Sequence, residues 1–311
     1  MSTATSDQSA PCARFQVSHE TRTRYQSRVT LSKQHLHLTP RNFAFQTTEV
    51  HEITVHPAAS ESVSGCDYFG NQIRQVAVTS PHRTLLVHAE STVSLTSRAA
   101  PLRPAPTPPW ESLRDRMQSG TDPALLDAHR YLYASPHVQV SRELAQYAAT
   151  SYPAGRSQFD AALHLTRRIF SEFEFDSAAT DISTPLDAVL RGRRGVCQDF
   201  AQLMIGCLRS VGLPARYVSG YLLTHPPMGM PRLIGADASH AWVSVWCSGS
   251  GWVDFDPTNN CVVQQEHITL AWGRDFSDVT PMRGVVLGGG KQDLAVRVTV
   301  VPLPLASQMS K

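Results

Sequence analysis

Apolar and polar residues alternate through the first third of the chain. Phe15-Gln-Val17 and residues 25–38 follow the two-residue period of a half-buried strand, most regularly at His35-Leu-His-Leu38. Residues 72–78 and 84–95 repeat that period, with turn residues between the runs at Gly65-Cys-Asp67 and Gly70-Asn71. Short strands at this spacing predict an N-terminal β-sandwich-like domain or small barrel over residues 15–97. Residues 1–14 are polar, show no period and read as a disordered tail.

Residues 98–110 are rich in proline and poor in large apolar side chains, which predicts an extended linker and the domain boundary. Beyond it the period lengthens. Residues 123–134, 140–149 and 158–172 carry helical spacing. Thr184-Pro-Leu-Asp187 suits the start of a short helix running to Arg191, since proline is favoured at the first helical position. The clearest helix covers residues 200–211. There Phe200, Leu203, Met204, Cys207, Leu208 and Val211 form one apolar stripe, closed by Gly212-Leu-Pro214. Strands are expected at residues 215–222, 241–246, 252–256 and 294–301. Helices followed by antiparallel strands make residues 111–305 an α+β domain.

Composition then narrows the class. A chain of 311 residues, 41% of them hydrophobic, has the material for one large core or two ordinary ones. A formal net charge of +2 is too small to argue for nucleic acid or an anionic membrane as partner. The 13 histidines are scattered and no CxxC or HExxH occurs, which argues against structural zinc; no metal or other cofactor is expected. His35, His37, His51 and His56 are expected to be solvated positions on alternating strands. The start lacks the apolar core of a signal peptide and no run approaches membrane-spanning length, so the expected compartment is the cytoplasm. Cysteines 12, 66, 197, 207, 247 and 261 follow no framework pattern and would stay free thiols there.

Chemistry concentrates late in the chain. Cys197 opens the helix of residues 200–211 while lying off its apolar stripe, unlike Cys207. The helix dipole and unpaired N–H groups favour negative charge there, and so a thiolate. The N–H groups of Cys197 and Gln198 would face a tetrahedral oxyanion. Gly195 is expected to allow a tight turn and leave room for substrate. His240 opens the next strand but one. A hairpin centred on Gly249 pairs Trp246 with Trp252, Ser244 with Asp254 and Trp242 with Asp256. His240 then sits diagonal to Asp256, at roughly 7–8 Å between backbones, which favours Asp256 over Asp254 as its orienting group. Trp242, Trp246 and Trp252 read as hairpin packing rather than a substrate wall. Residues 274–278 read as a polar turn.

Three segments, GVCQDFAQLMIGCLRSVGLPARYVSGY, SHAWVSVW and GWVDFDPTNN, resemble the transglutaminase core in its bacterial transglutaminase-like branch. FQVSHETRTRY and Asp67-Tyr-Phe-Gly-Asn71 resemble the β-rich N-terminal region found with that branch, and HITLAWGRDFSDVTPMRG its closing segment. The resemblance spans most of residues 15–302 and implies a papain-like catalytic domain with a triad of Cys197, His240 and Asp256. Gln198 departs from the animal members, which commonly carry Trp after the cysteine. The expected function is acyl transfer through a thioester on a peptide or protein substrate. Hydrolysis is favoured over transfer to an amine because no feature argues for amine selection. The rival expectations are a catalytically silent binding scaffold and a structural zinc protein.

Overall fold

The computed structural model describes residues 11–98, 108–181, 183–224 and 239–305. The β-rich first part is organised by one strand, β1 (Pro11–Leu36). It is followed by β2 (Gln46–His56), β3 (Glu61–Cys66), β4 (Gln72–Val78) and β5 (His82–Thr96). Next come α1 (Trp110–Ser119), α2 (Leu126–His129), α3 (Arg142–Ala149), α4 (Gln158–Glu172), β6 (Glu174–Phe175), α5 (Leu186–Gly192), β7 (Arg194–Gly195) and α6 (Cys197–Ser210). The chain continues through β8 (Ala215–Leu222), β9 (Ser239–Cys247), β10 (Gly251–Asp256), β11 (Cys261–Val262) and β12 (His267–Gly273). It closes with α7 (Phe276–Val279), β13 (Met282–Gly288) and β14 (Gln292–Pro302).

β1 changes partners along its length. Its first half pairs with β5 on one side and β14 on the other, from Phe15↔Pro302 to Tyr25↔Gln292. After a register break between Arg24 and Val29, its second half pairs with β4 and β13. The end of the chain therefore returns to the first sheet, and β13 and β14 do not belong with the sheet of the expected 111–305 unit. The expected tail is shorter too, because Pro11–Arg14 already lie in β1 against β5. Residues 1–10 and the proline-rich stretch 99–107 lie outside the described residues.

α6 shows why the second half folds as it does. It is buried on every side from Asp199 to Arg209, with polar Asp199, Gln202 and Arg209 enclosed beside the expected apolar stripe. It packs against α3 and α5 on one flank and against β8 and β9 on the other. Buried Arg209 donates to the carbonyls of Tyr131, Tyr133, Ala215 and Arg274, fastening the loops around the helix end. α3 and α4 begin at Ser141 and Ser157, whose hydroxyls accept from Leu144 and Asp160 N–H. The segment expected to be helical at 123–134 holds only a 3₁₀ turn and the four-residue α2.

The second sheet runs β11-β10-β9-β8-β12 and is antiparallel. Its edge strand β12 is met by two side-chain amides from the first part. Gln46 donates to Thr269 O at 2.7 Å and accepts from Thr269 N at 2.8 Å. Asn71 does the same to Trp272, at 2.8 and 2.9 Å. Each amide imitates a strand neighbour and satisfies backbone groups that an edge would expose. One apolar core then joins the two parts: Phe15, Val17, Val93 and Val298 share it with Leu203 and Val243.

Gly220 faces His240 across β8 and β9. A Cβ there would lie 2.1 Å from Ile268 O and 2.5 Å from the Trp242 ring, so only glycine admits β12 and Trp242 at this distance. Gly220→Ala should lower unfolding free energy by at least about 2 kcal/mol, read from the urea midpoint; an unchanged midpoint would show that β12 yields freely.

Candidate active site

Cys197 is the first residue of α6 and is half-buried. The turn that presents it is held by Asp199, whose Oδ2 accepts from Val196 N at 2.8 Å and from the Thr180 hydroxyl at 2.6 Å. A Cβ on Gly195 would stand 2.7 Å from that same oxygen. The glycine therefore makes room for Asp199, not for substrate as the sequence suggested. Cys197 and Gln198 both line a cavity of about 580 Å³, together with His240, Tyr217 and Ser219.

The hairpin has the expected register, with Trp246 opposite Trp252 and Ser244 opposite Asp254. It brings His240 Nε2 to 2.8 Å from Asp256 Oδ2, and His240 lines the same cavity as Cys197, whose sulfur also acts on the imidazole. Burial works to lower the imidazole, but the bond to Asp256 and the influence of Cys197 outweigh it and push His240 up to about 10. Asp256 is fully buried. Burial alone would raise its carboxyl; the bonds from His240 and His267 hold it far below the ordinary carboxylate range. Among the described residues five donors reach it. Oδ2 takes His240, His267 at 3.0 Å and Asn259 Nδ2 at 2.7 Å. Oδ1 takes the backbone N–H groups of Thr258 and Asn259.

Asp254 is not brought to His240. It accepts instead from Arg98 Nη1 at 2.6 Å and Trp242 Nε1 at 3.2 Å. Trp242 is fully buried and Trp246 meets Trp252 edge to face, so these rings are packing, as expected. In the 274–278 turn, Asp275 caps α7 and Phe276 lines the cavity. His37 departs from expectation, being buried between Asp67 Oδ2 and Thr280 O. His51 is half-buried, and that burial lowers it to about 4.

Sequence reasoning missed His267 and Asn259. Asn259 follows the Asp-Pro turn closely enough that its backbone and side chain both fold back on Asp256. His267 opens the apolar run of β12, and only the sheet order brings it to Asp256. Burial lowers His267, so this ring is neutral and donates through Nε2. Its Nδ1 has no partner among the described residues. His240, Asp256 and His267 do place three possible metal-ligand atoms within 4.8 Å of one another. A metal would have to break the two imidazole bonds that converge on one carboxylate oxygen. No helix among the described residues is long and apolar enough to cross a membrane.

A helix-borne cysteine set against a histidine and an aspartate on neighbouring strands defines the transglutaminase-like fold class. The family model of the transglutaminase-like superfamily matches residues 143–257, and that of the bacterial transglutaminase-like N-terminal region matches residues 15–94. An uncharacterised protein of Mycobacterium bovis is 39% identical, with 93% of each chain covered. The crystal structure of a Cytophaga hutchinsonii protein proposed to be a cysteine protease superposes with a TM-score of 0.71 at 20% identity, covering 94% of this chain and 91% of its own. A protein-glutamine gamma-glutamyltransferase of Pseudomonas aeruginosa is 38% identical over 73 residues, 23% of this chain and 11% of that protein. The chain belongs to the bacterial transglutaminase-like family.

Two outcomes follow from the Asp256 cluster. His267→Phe removes a donor to a buried charge and should cost about 2 kcal/mol of folding stability in urea titrations, with His267→Gln recovering part of it. The His240 contribution has its own pH window. Its folded value of about 10 lies above the ordinary 6.5, so the stabilisation is complete below 6.5 and lost as pH rises through 10. The depressed Asp256 requires a pH above its ordinary 3.8. The stability gap between wild type and His240→Gln should therefore be widest near pH 6 and close toward pH 10.

Proposed function

We propose that the protein is a cysteine-nucleophile enzyme that cleaves peptide or carboxamide bonds through a thioester. The observation that carries this reading is the His240 imidazole, hydrogen-bonded to a buried, ionised Asp256 and lining one cavity with Cys197. In this reading Cys197 Sγ, its proton held on His240, attacks the carbonyl carbon and the π electrons move to oxygen. Backbone N–H groups of Cys197 and Gln198 receive that oxyanion at the start of α6. Collapse expels the amine, which takes its proton from His240 and leaves an acyl-thioester. Water then gives a proton to His240, its oxygen attacks the thioester, and the carboxylic acid departs as Cys197 is restored. Asp256 keeps the imidazole oriented and compensates its charge.

Hydrolysis is the favoured fate of the thioester. Among the described residues lining the cavity there is no carboxylate to draw in an acceptor ammonium. Transfer to an amine is the alternative, suggested by the short match to the glutamyltransferase. The substrate in either case is a peptide or protein, within a papain-like arrangement of helix and sheet.

Iodoacetamide labelling from pH 4 to 9 with peptide mapping tests the reading. Cys197 should label rapidly well below pH 7, and at least about tenfold more slowly in His240→Ala. Buried Cys207, which burial pushes up to about 12, serves as the inert comparison. Labelling of Cys197 that follows an ordinary thiol titration, indifferent to His240, would leave the silent-scaffold reading in its place.

A further inference from the structure

We infer that the face shared by β1 and β14 is the substrate-binding wall of the cleft, and that it selects an extended, uncharged segment rich in aliphatic side chains. The inference deepens the reading of Cys197 and His240 given above and rests on it. Alternation along β1 turns His19, Thr21, Thr23 and Tyr25 to one face. Their partners across the ladder are Val298, Val296, Leu294 and Gln292, and directly paired residues share a face. Thr21, Thr23, Tyr25, Leu294 and Val296 line the same cavity as Cys197 and His240. From His19 to Tyr25 the wall is about 20 Å long at strand rise, room for about six extended residues.

The chemistry of this wall is uniform. Leu294 is 61% exposed and Val296 46%, two neighbouring aliphatic side chains left in water in the cavity that Cys197 also lines. Such exposure is what a substrate would cover. Beside them across the ladder Thr21 and Thr23 are buried and carry only neutral hydroxyls. His19 carries no charge either. Tyr221 OH bonds its Nδ1 at 2.9 Å, Thr21 Oγ1 meets its Nε2 at 2.9 Å, and burial lowers it to about 4. Apart from the Cys197–His240 pair, the one formally charged side chain among the described lining residues is Arg283. A lysine or arginine in the bound segment would meet Arg283 and find no carboxylate among the described lining residues to balance it.

The test uses two end-blocked, fluorescein-labelled hexapeptides with a central glutamine, one flanked by Leu and Val, the other by Lys. Binding is measured by anisotropy on the full-length Cys197→Ala protein, so that turnover plays no part. The aliphatic peptide should bind at least about tenfold more tightly than the lysine peptide. Leu294→Asp with Val296→Asp should erase or reverse that preference; Leu294→Ser with Val296→Ser, a milder change at the same exposed positions, should weaken it. In the otherwise wild-type protein the serine double variant, which adds no charge, should keep the Cys197 labelling profile. Equal binding of the two peptides, binding of neither, or a preference that survives both double variants overturns the inference. Failure of Cys197 to label as an activated thiol would instead remove the catalytic reading while leaving the binding preference to be judged by itself.

Discussion

A single buried carboxylate governs this site. Asp256 has no exposed surface, and a charge in that position is tolerated only when every lone pair is met. Five donors meet it, and they come from three places: the turn that follows β10, the start of β9 through His240, and the start of β12 through His267. The strand ends are thereby drawn to one point. The same charge holds a proton on His240, the ring that lines one cavity with Cys197. Geometry and protonation thus have one origin.

The helix side of the site is built with equal economy. Asp199 closes the first turn of α6 by accepting from Val196 N–H, and glycine at 195 leaves the space its carboxylate needs. That turn sets where the Cys197 sulfur points. The burial of α6 on all sides then locks the turn against β8 and β9, so the cysteine and the histidine are referred to one rigid framework.

The first sheet is part of that framework. Gln46 and Asn71 dock on the open edge of β12, Tyr221 reaches His19 of β1, and the apolar core runs through both parts. The cavity beside Cys197 is consequently walled by the first and last strands of the chain as well as by the second sheet. Asp67-Tyr-Phe-Gly-Asn71 acquires a physical purpose here: Asp67 and Arg41 orient Asn71 so that its amide meets Trp272.

Local pattern was enough for much of this. The stripe and closing glycine marked α6, alternation marked parts of β1, strands were expected where β8 and β14 lie, and the glycine turn at 249 set a hairpin register that placed His240 near Asp256. These features depend on neighbours within a few residues, which a periodic sequence records directly. Choosing Asp256 over Asp254 was already within reach, because a two-residue period fixes which pair is diagonal to His240. Other features needed the folded chain. His267 joins Asp256 only because β12 and β10 flank the two strands between them in the five-stranded sheet. His37, just past the end of β1, is buried because the fold sets it between Asp67 and the Thr280 carbonyl, 243 positions away. The return of β13 and β14 to β1 joins residues more than 250 positions apart, as at Val29 and Gly288, and the cleft wall exists because of it. Periodicity tells each strand which face it has; it carries no information on which distant strand will lie beside it, and that pairing is settled by the burial of the whole core.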